Sequence, residues 1–308
     1  MMAATFANVV LASKAGIVRA AMCGLALIGM ALAGFGTAAL AESAPARVLS
    51  IGGSATEIAY ALGAGDRLVA RDTTSSYPAA ATQLPDVGYM RALSPEGVLS
   101  VGPDLIMMED GAGPPEALDV IEAAGVTLAH IPGGHDAAAV AAKVRAVGHA
   151  LGVDAQADAL AHTLQADITA AREAANADNG PKPKVLFLLS NTGGRLTGGG
   201  AGTGAAAMIE LAGGQNAIPS VRGYKALSDE AIATAAPDVV LVMDRGDGGV
   251  SEGAMTGDGY PDHPALAQTP AGQNGRLVRM GGLYLLGFGP RTPAAIRDLH
   301  RALYAGAP

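Results

Sequence analysis

One segment occurs twice in this chain of 308 residues, the second copy 134 positions after the first. The first copy runs Leu93-Ser94-Pro95-Glu96, Val98-Leu99, Pro103-Asp104, and then the apolar Leu105-Ile106-Met107-Met108. The second runs Leu227-Ser228-Asp229-Glu230, Ala231-Ile232, Pro237-Asp238, and then Val239-Val240-Leu241-Val242-Met243. Leu, Ser, Glu, Pro and Asp hold the same register in both. Each copy reads as a capping serine, a short helix, a Pro-Asp turn and a buried strand. A unit used twice implies two similar lobes, and two lobes imply a cleft.

The remaining pattern is α/β. Arg47 to Ile51 is a short apolar strand, and Gly52-Gly53-Ser54 is a turn. Ser54-Ala-Thr-Glu57 has the spacing of a capping box that starts a helix to about Leu62. Leu68-Val69-Ala70 is a second strand, and Arg71 to Gly88 a loop broken by Pro78 and Pro85. After the first repeat come a helix over roughly 116–124 and a strand from Val126 to Ile131. Strands alternating with helices predict a parallel sheet. Asp136 to Asn176 is alanine-rich and apolar at helical spacing, and reads as one or two long helices. Val185 to Leu189 then restarts the α/β pattern, with a helix at 204–212, strands at 239–243 and 277–280, and a closing helix from Pro293 to Tyr304. The expected fold is two Rossmann-like α/β lobes, 42–152 and 181–308, joined by a long linking helix within 153–180. A helical joint of this kind limits hinge motion where a Gly/Ser linker would not.

Composition narrows the function. Apolar residues make up 50% of the chain, but aromatics only 4%, and Trp is absent, so the core is built from Ala, Leu, Val and Met. A net charge of −8 with no basic stripe argues against nucleic acid. Lys14 and Arg19 precede the apolar, small-residue run Ala20 to Leu40, and Ala39-Leu40-Ala41 is an A-x-A cleavage site. Residues 1–41 therefore read as a cleaved signal peptide, with an uncleaved anchor as the competing reading. Cleavage leaves 18 basic and 28 acidic residues, a charge of −10. The single cysteine, Cys23, lies inside the signal, and the apolar run continues past it where a lipobox would end. A mature chain without cysteine has no disulfide, no thiolate nucleophile and no Cys-bound zinc.

Tyr89 is the most informative residue for chemistry. It lies in Asp86-Val87-Gly88-Tyr89-Met90-Arg91, just before the first repeat, on a loop expected to face the cleft. A phenolate is a hard anionic ligand suited to ferric iron, and tyrosine serves as a haem axial ligand. In an extended loop Arg91 points the same way as Tyr89. Its guanidinium can lower the phenol pKa, hydrogen-bond the oxygen or pair with a carboxylate. The alternative is a tyrosine packed on its own lobe.

The stretch 87–106 (V-G-Y-M-R-A-L-S-P-E-G-V-L-S-V-G-P-D-L-I) resembles the periplasmic haem-binding proteins of ABC haem importers. So do residues 196–217 and Leu283-Tyr284-Leu285-Leu286-Gly287-Phe288-Gly289-Pro290-Arg291-Thr292-Pro293. These are helical-backbone binding proteins, a class that also serves cobalamin and ferric siderophores. The resemblance covers most of 47–304. It implies that Tyr89 ligates haem iron, that Arg91 supports it, and that Met90 and Asn191 line the pocket. Some relatives add a histidine near the end of the second lobe's first strand. Here that region is Leu189-Ser190-Asn191-Thr192-Gly193-Gly194, which implies iron that is five-coordinate or completed by a weak ligand. None of the six histidines occupies an obvious ligand position.

In the second lobe Arg245 follows the strand at 239–243, and Arg222 and Tyr224 occupy the place that corresponds to Tyr89. They are candidates for propionate or porphyrin contacts, with solvated loop charge as the alternative. Glu96 and Glu230 match across the repeats. The resemblance implies that they dock onto the membrane subunits of the importer; helix N-terminal stabilisation is the alternative. The expected partners are haem and those subunits, with an outer-membrane haem receptor upstream and no nucleic acid; the carrier is expected to be monomeric. Gly200-Ala-Gly202-Thr-Gly-Ala205 fits G-x-G-x-x-A, but no acidic residue follows where a ribose would bind, and the P-loop lysine is absent. The carrier reading leads. A carrier of cobalamin or a ferric siderophore is second, and a Rossmann-type enzyme third.

Overall fold

The computed structural model describes residues 45–177, 180–244, 250–252, 260 and 263–305. The expected signal segment 1–41, with Cys23, and Arg245 lie outside the described residues. Residues from Ala44 onward form one compact unit.

Two sheets organise that unit. The first is parallel, in the order β2-β1-β3-β4, from β1 (Val48–Ile51), β2 (Leu68–Arg71), β3 (Leu105–Glu109) and β4 (Thr127–Ile131). β1 runs beside β3 with Val48 opposite Leu105 and Ile51 opposite Met108. Both strands are buried on both faces, so they read as unbroken apolar runs rather than alternating ones. Helices α1 (Gly53–Ala61), α2 (Pro95–Ser100) and α3 (Pro115–Ala123) complete this lobe.

The alanine-rich stretch forms two helices, α4 (Ala137–Leu151) and α5 (Asp154–Ala175), and not one. The break is Gly152, which ends α4 in the left-handed region at φ 67°. The two helices pack closely where Gly148 meets Ala157. α5 is 22 residues long and buries Ala157, Ala161, Leu164, Ile168 and Ala171 along one stripe.

The second sheet follows α5. Its parallel core is β9 (Val239–Asp244) between β5 (Lys184–Thr192) and β11 (Leu277–Gly281). β5 also turns back into β6 (Arg195–Gly199) as an antiparallel hairpin, a feature absent from the sequence expectations. Its two-residue turn is Gly193-Gly194, both at positive φ (59° and 80°), the backbone that a tight hairpin requires. The short β7 (Gln215–Asn216) runs parallel beside β5, β8 (Tyr224–Ala226) extends the edge beside β6, and β10 (Val250–Glu252) runs antiparallel beside β11. Helices α6 (Gly204–Leu211), α7 (Asp229–Ala235), α10 (Gly282–Leu286) and α11 (Thr292–Tyr304) pack around it, with the single turns α8 (Pro264–Ala267) and α9 (Pro270–Gln273) beside them.

The repeated segment does the same work in both lobes. Ser94 and Ser228 cap α2 and α7, accepting from the amides of Gly97 and Ala231. Asp104 accepts from the Arg47 amide at 3.1 Å and Asp238 from the Lys184 amide at 2.8 Å. Each aspartate therefore clamps the start of its lobe's first strand. The Asp104 and Asp238 amides in turn donate to the carbonyls of Arg47 and Lys184, both at 2.8 Å.

The Ser54–Glu57 expectation fails. α1 begins at Gly53 with Gly52 at its cap and no side-chain capping bond. Ser54 and Glu57 lie inside the helix and bond elsewhere. A capping box leaves its serine outside the helix, and here the helix begins two residues too early for that.

Candidate functional site

The carboxyl ends of the parallel strands of both sheets face each other, the position where α/β sheets hold ligands. From the first lobe come the start of α1 after β1, the loop after β2 and the loop after β4. From the second come the start of α6 after β6 and the segment after β11. The approach is close: a Cβ on Gly53 would lie 2.5 Å from Leu283 Cδ1 and 2.7 Å from the Thr74 carbonyl, so only glycine fits there.

The loop that carries Tyr89 is held from below. Asp72 is fully buried, and its carboxylate accepts from the Gly52 amide (3.0 Å), the Thr74 amide (2.9 Å) and hydroxyl (2.7 Å), and the Ser75 hydroxyl (2.8 Å). Asp86 accepts from Arg71 (3.1 Å), the Thr73 hydroxyl (3.1 Å) and the Gly88 amide (2.8 Å). The Ala92 amide closes a turn onto the Tyr89 carbonyl at 2.8 Å. The Gly113 amide donates to the Met90 carbonyl at 2.8 Å. Held this way at both flanks, Tyr89 still exposes 47% of its surface. A fixed backbone presenting an open ring is a preorganised contact.

The neighbours of Tyr89 separate. Met90 is 9% exposed and packs in the first lobe's core cluster with Leu93, Ile106 and Met108, so its side chain faces the lobe interior. Arg91 is exposed. Residues 89–92 form a turn and not an extended strand, so the i, i+2 argument for Tyr89 and Arg91 does not apply as written. The charge of Arg91 falls instead on Tyr224 of the other lobe.

Tyr224 opens β8 and is half-buried, with its ring edge-on to Phe187 at 6.3 Å between centroids. Burial raises its pKa; the Ala205 amide, the Arg91 guanidinium and the Thr203 side chain pull it back down. Thr203 caps α6, its hydroxyl accepting from the Ala206 amide at 3.1 Å. The glycine-rich run 198–204 thus ends β6 and turns into the start of α6 beside Tyr224. Arg222 is exposed and bridges to Ala201 across that turn. Asn191 is half-buried, and its side-chain oxygen accepts from the Gly194 amide at 3.1 Å, tying the hairpin turn. Glu96 and Glu230 are both exposed in the first turns of α2 and α7. Met280 is fully buried and Met243 packs against the same core.

Two groups of residues that the sequence did not mark as interlobe contacts also cross between the lobes. His135, from the loop before α4, meets Phe288 with ring centroids 4.9 Å apart, and its imidazole lies beside Gly204 at the start of α6. Burial, and then the charge of Lys143, lower its pKa, while Asp136 opposes them. Phe288 holds a left-handed φ of 51°, which is uncommon for a bulky side chain. The second group is charged. Arg291 Nε lies 3.1 Å from both carboxylate oxygens of Glu57, and its Nη2 makes a closer contact with Oε1. Lys143 donates to the Ser54 hydroxyl at 2.7 Å and to the Gly287 carbonyl at 3.1 Å. The Ser54 hydroxyl donates to Glu109 at 2.6 Å. These bonds are why Ser54 and Glu57 are unavailable as a cap.

The comparisons agree with this architecture. A family model described as periplasmic binding protein matches residues 48–282. The structure resembles the periplasmic heme-binding protein BhuT in complex with two hemes, at 43% identity and a TM-score of 0.77, covering 84% of this chain and 98% of that one. It resembles the periplasmic heme-binding protein RhuT from Roseiflexus sp. RS-1 at 41% identity and a TM-score of 0.78, with the same coverage. The vitamin B12-binding protein of Yersinia pestis is 29% identical over 204 residues, covering 66% of this chain and 71% of that protein. Two parallel-sheet lobes, a long helix between them in the chain, and a family match spanning both lobes lead to one conclusion: the chain belongs to the periplasmic binding protein family.

Proposed function

We propose that this chain captures haem between its lobes and delivers it to an inner-membrane ABC importer, as a carrier with no reaction of its own. The observation that carries this reading is Tyr89: a half-exposed phenol on a loop fixed by Asp72 and Asp86, at the carboxyl ends of the strands. Solved structures at 43% and 41% identity are named as heme-binding proteins, which supports the ligand class. Tyr89 would supply the anionic oxygen to ferric iron. Arg91, Arg222 and Arg245 would supply positive charge to the propionates, and Tyr224 would cover the opposite side of the ligand. Glu96 and Glu230, exposed at equivalent positions of the two lobes, would meet the two membrane subunits. Residues 1–41 would direct export and be removed.

Ferric haem titrated into residues 42–308 should give a saturable Soret change and a phenolate charge-transfer band. Tyr89→Ala should lose both while its circular dichroism stays that of the parent. Unchanged haem affinity in Tyr89→Ala would remove Tyr89 as ligand. No saturable binding by the parent would turn the reading to cobalamin and ferric siderophores, tested in the same titration.

A further inference from the structure

The Gly-Phe-Gly-Pro-Arg stretch marks haem carriers by resemblance, and its arginine is engaged within the protein. Arg291 spends its guanidinium on Glu57, whose side chain is 4% exposed. Its flat face stacks on Tyr77 at 3.7 Å to the ring centroid, with Tyr284 at 5.0 Å. Tyr284 is itself fixed, its hydroxyl donating to Asp298 at 2.9 Å. Glu57 and Tyr77 belong to the first lobe, and Arg291 and Tyr284 to the second. Lys143, 3% exposed, makes the second crossing, from α4 to the Gly287 carbonyl. Around these bonds two glycines leave little room for a side chain of their own: Gly53 lies under the Leu283 side chain, and Gly289 lies against Ser54 and the Glu57 carboxylate. Two directional, buried, charged links in opposite senses restrain rotation as well as separation, which apolar contact alone does not.

We infer that Glu57, Lys143 and Arg291 form a latch that holds the two lobes at one fixed separation before any ligand arrives. Arg291 is then a positioning residue: it sets the distance between Tyr89 on one lobe and Tyr224 on the other, without touching what lies between them. The latch itself stands apart from the carrier reading; only its consequence for haem rests on that reading.

Spin labels at Asp119→Cys on α3 and Gln273→Cys on α9, both exposed, report the lobe separation by pulsed electron paramagnetic resonance. The protein from residue 42 contains the whole compact unit and lacks Cys23. Without ligand it should show one narrow distance distribution. Arg291→Ala should broaden it or move it to longer distance, and Glu57→Gln, which keeps the shape but removes the charge, should do so less. A parent-like distribution in both variants overturns the latch. If Arg291→Ala does not fold by circular dichroism, Glu57→Gln and Lys143→Met decide the question in the same way. In a second arm, haem transfer to apomyoglobin should be at least tenfold faster from the latch variants, with the visible spectrum of bound haem unchanged. A parent that binds no haem ends the haem reading and leaves the distance measurement to judge the latch.

Discussion

Replacing Arg291 by alanine strands a buried carboxylate, and the cost depends on pH in a direction that can be worked out. Arg291 and Glu57 are 21% and 4% exposed, so solvent screens the pair little. Removing one partner of such a pair costs about 3–5 kcal/mol, and the lost contact over Tyr77 adds about 0.5–2 kcal/mol. Glu57 titrates above its ordinary value of 4.5 because burial outweighs the hydrogen bond and charge of Arg291 and the more distant Lys143, with Glu109 adding to the rise. A raised carboxylate pKa means that the folded state binds its proton more tightly than the unfolded chain does. Glu57 therefore subtracts stability as pH rises through the window above 4.5, and adds no penalty below it, where both states are protonated. Without Arg291 the folded-state pKa rises further and the window widens. The difference between parent and Arg291→Ala should be largest near neutral pH and shrink steadily toward pH 4.5. Urea unfolding, followed by circular dichroism and tyrosine fluorescence, measures it. With a slope of about 1–3 kcal/mol per molar urea, the midpoint at pH 7 should fall by at least about 1 M. A loss below about 1 kcal/mol at pH 7, or one equal at pH 5 and pH 7, would refute the assignment of Glu57 as a buried charge held by Arg291.

Other expectations follow from the same geometry. Glu96→Ala combined with Glu230→Ala should keep haem affinity and lose stimulation of the importer's ATPase; stimulation that survives both changes removes these residues from docking. Asp104→Ala and Asp238→Ala should each destabilise the protein by about 1.5–3 kcal/mol, as a charged acceptor of backbone amides is lost. The unfolding midpoint checks this, and a loss from one substitution but not the other would break the equivalence of the repeats. The lowered pKa of His135 makes its contribution present above its ordinary 6.5 and lost as pH falls below it. His135→Gln should flatten the stability profile between pH 5 and 7, and an unchanged profile would show that the imidazole does not titrate there.

The parts of the fold legible in the sequence were those governed by local chemistry. Ser94 and Ser228 cap helices because serine precedes a helical run, and Asp104 and Asp238 clamp strands because Pro-Asp turns bring a carboxylate to a free amide. The apolar runs at 105–108 and 239–243 could only be buried parallel strands. What remained hidden depends on distance along the chain. Glu57 and Arg291 are 234 residues apart, and nothing near either announces the other. Ser54 and Glu57 even imitate a capping box, because the same two side chains suit a helix start and an interlobe bond. Arg91 meeting Tyr224, and His135 meeting Phe288, are likewise products of two sheets facing each other. The β5–β6 hairpin is different: its signal is local, a Gly193-Gly194 pair at positive φ between two strand-forming runs. Tyr89 stood out by its neighbours in sequence, while the scaffold that makes it rigid, Asp72 and Asp86, did not.

The face where the lobes meet also decides what the smallest folding unit is. Each lobe has its own sheet, which suggests that either could be cut out and fold alone. Leu283, Phe288 and Gly289 would then present an apolar surface to water, and Lys143 and Glu57 in the first lobe would lose their partners from the second. Neither half has a finished exterior on that side. The lobes are two in architecture and one in cooperativity, so unfolding should be a single transition in which neither half outlives the other.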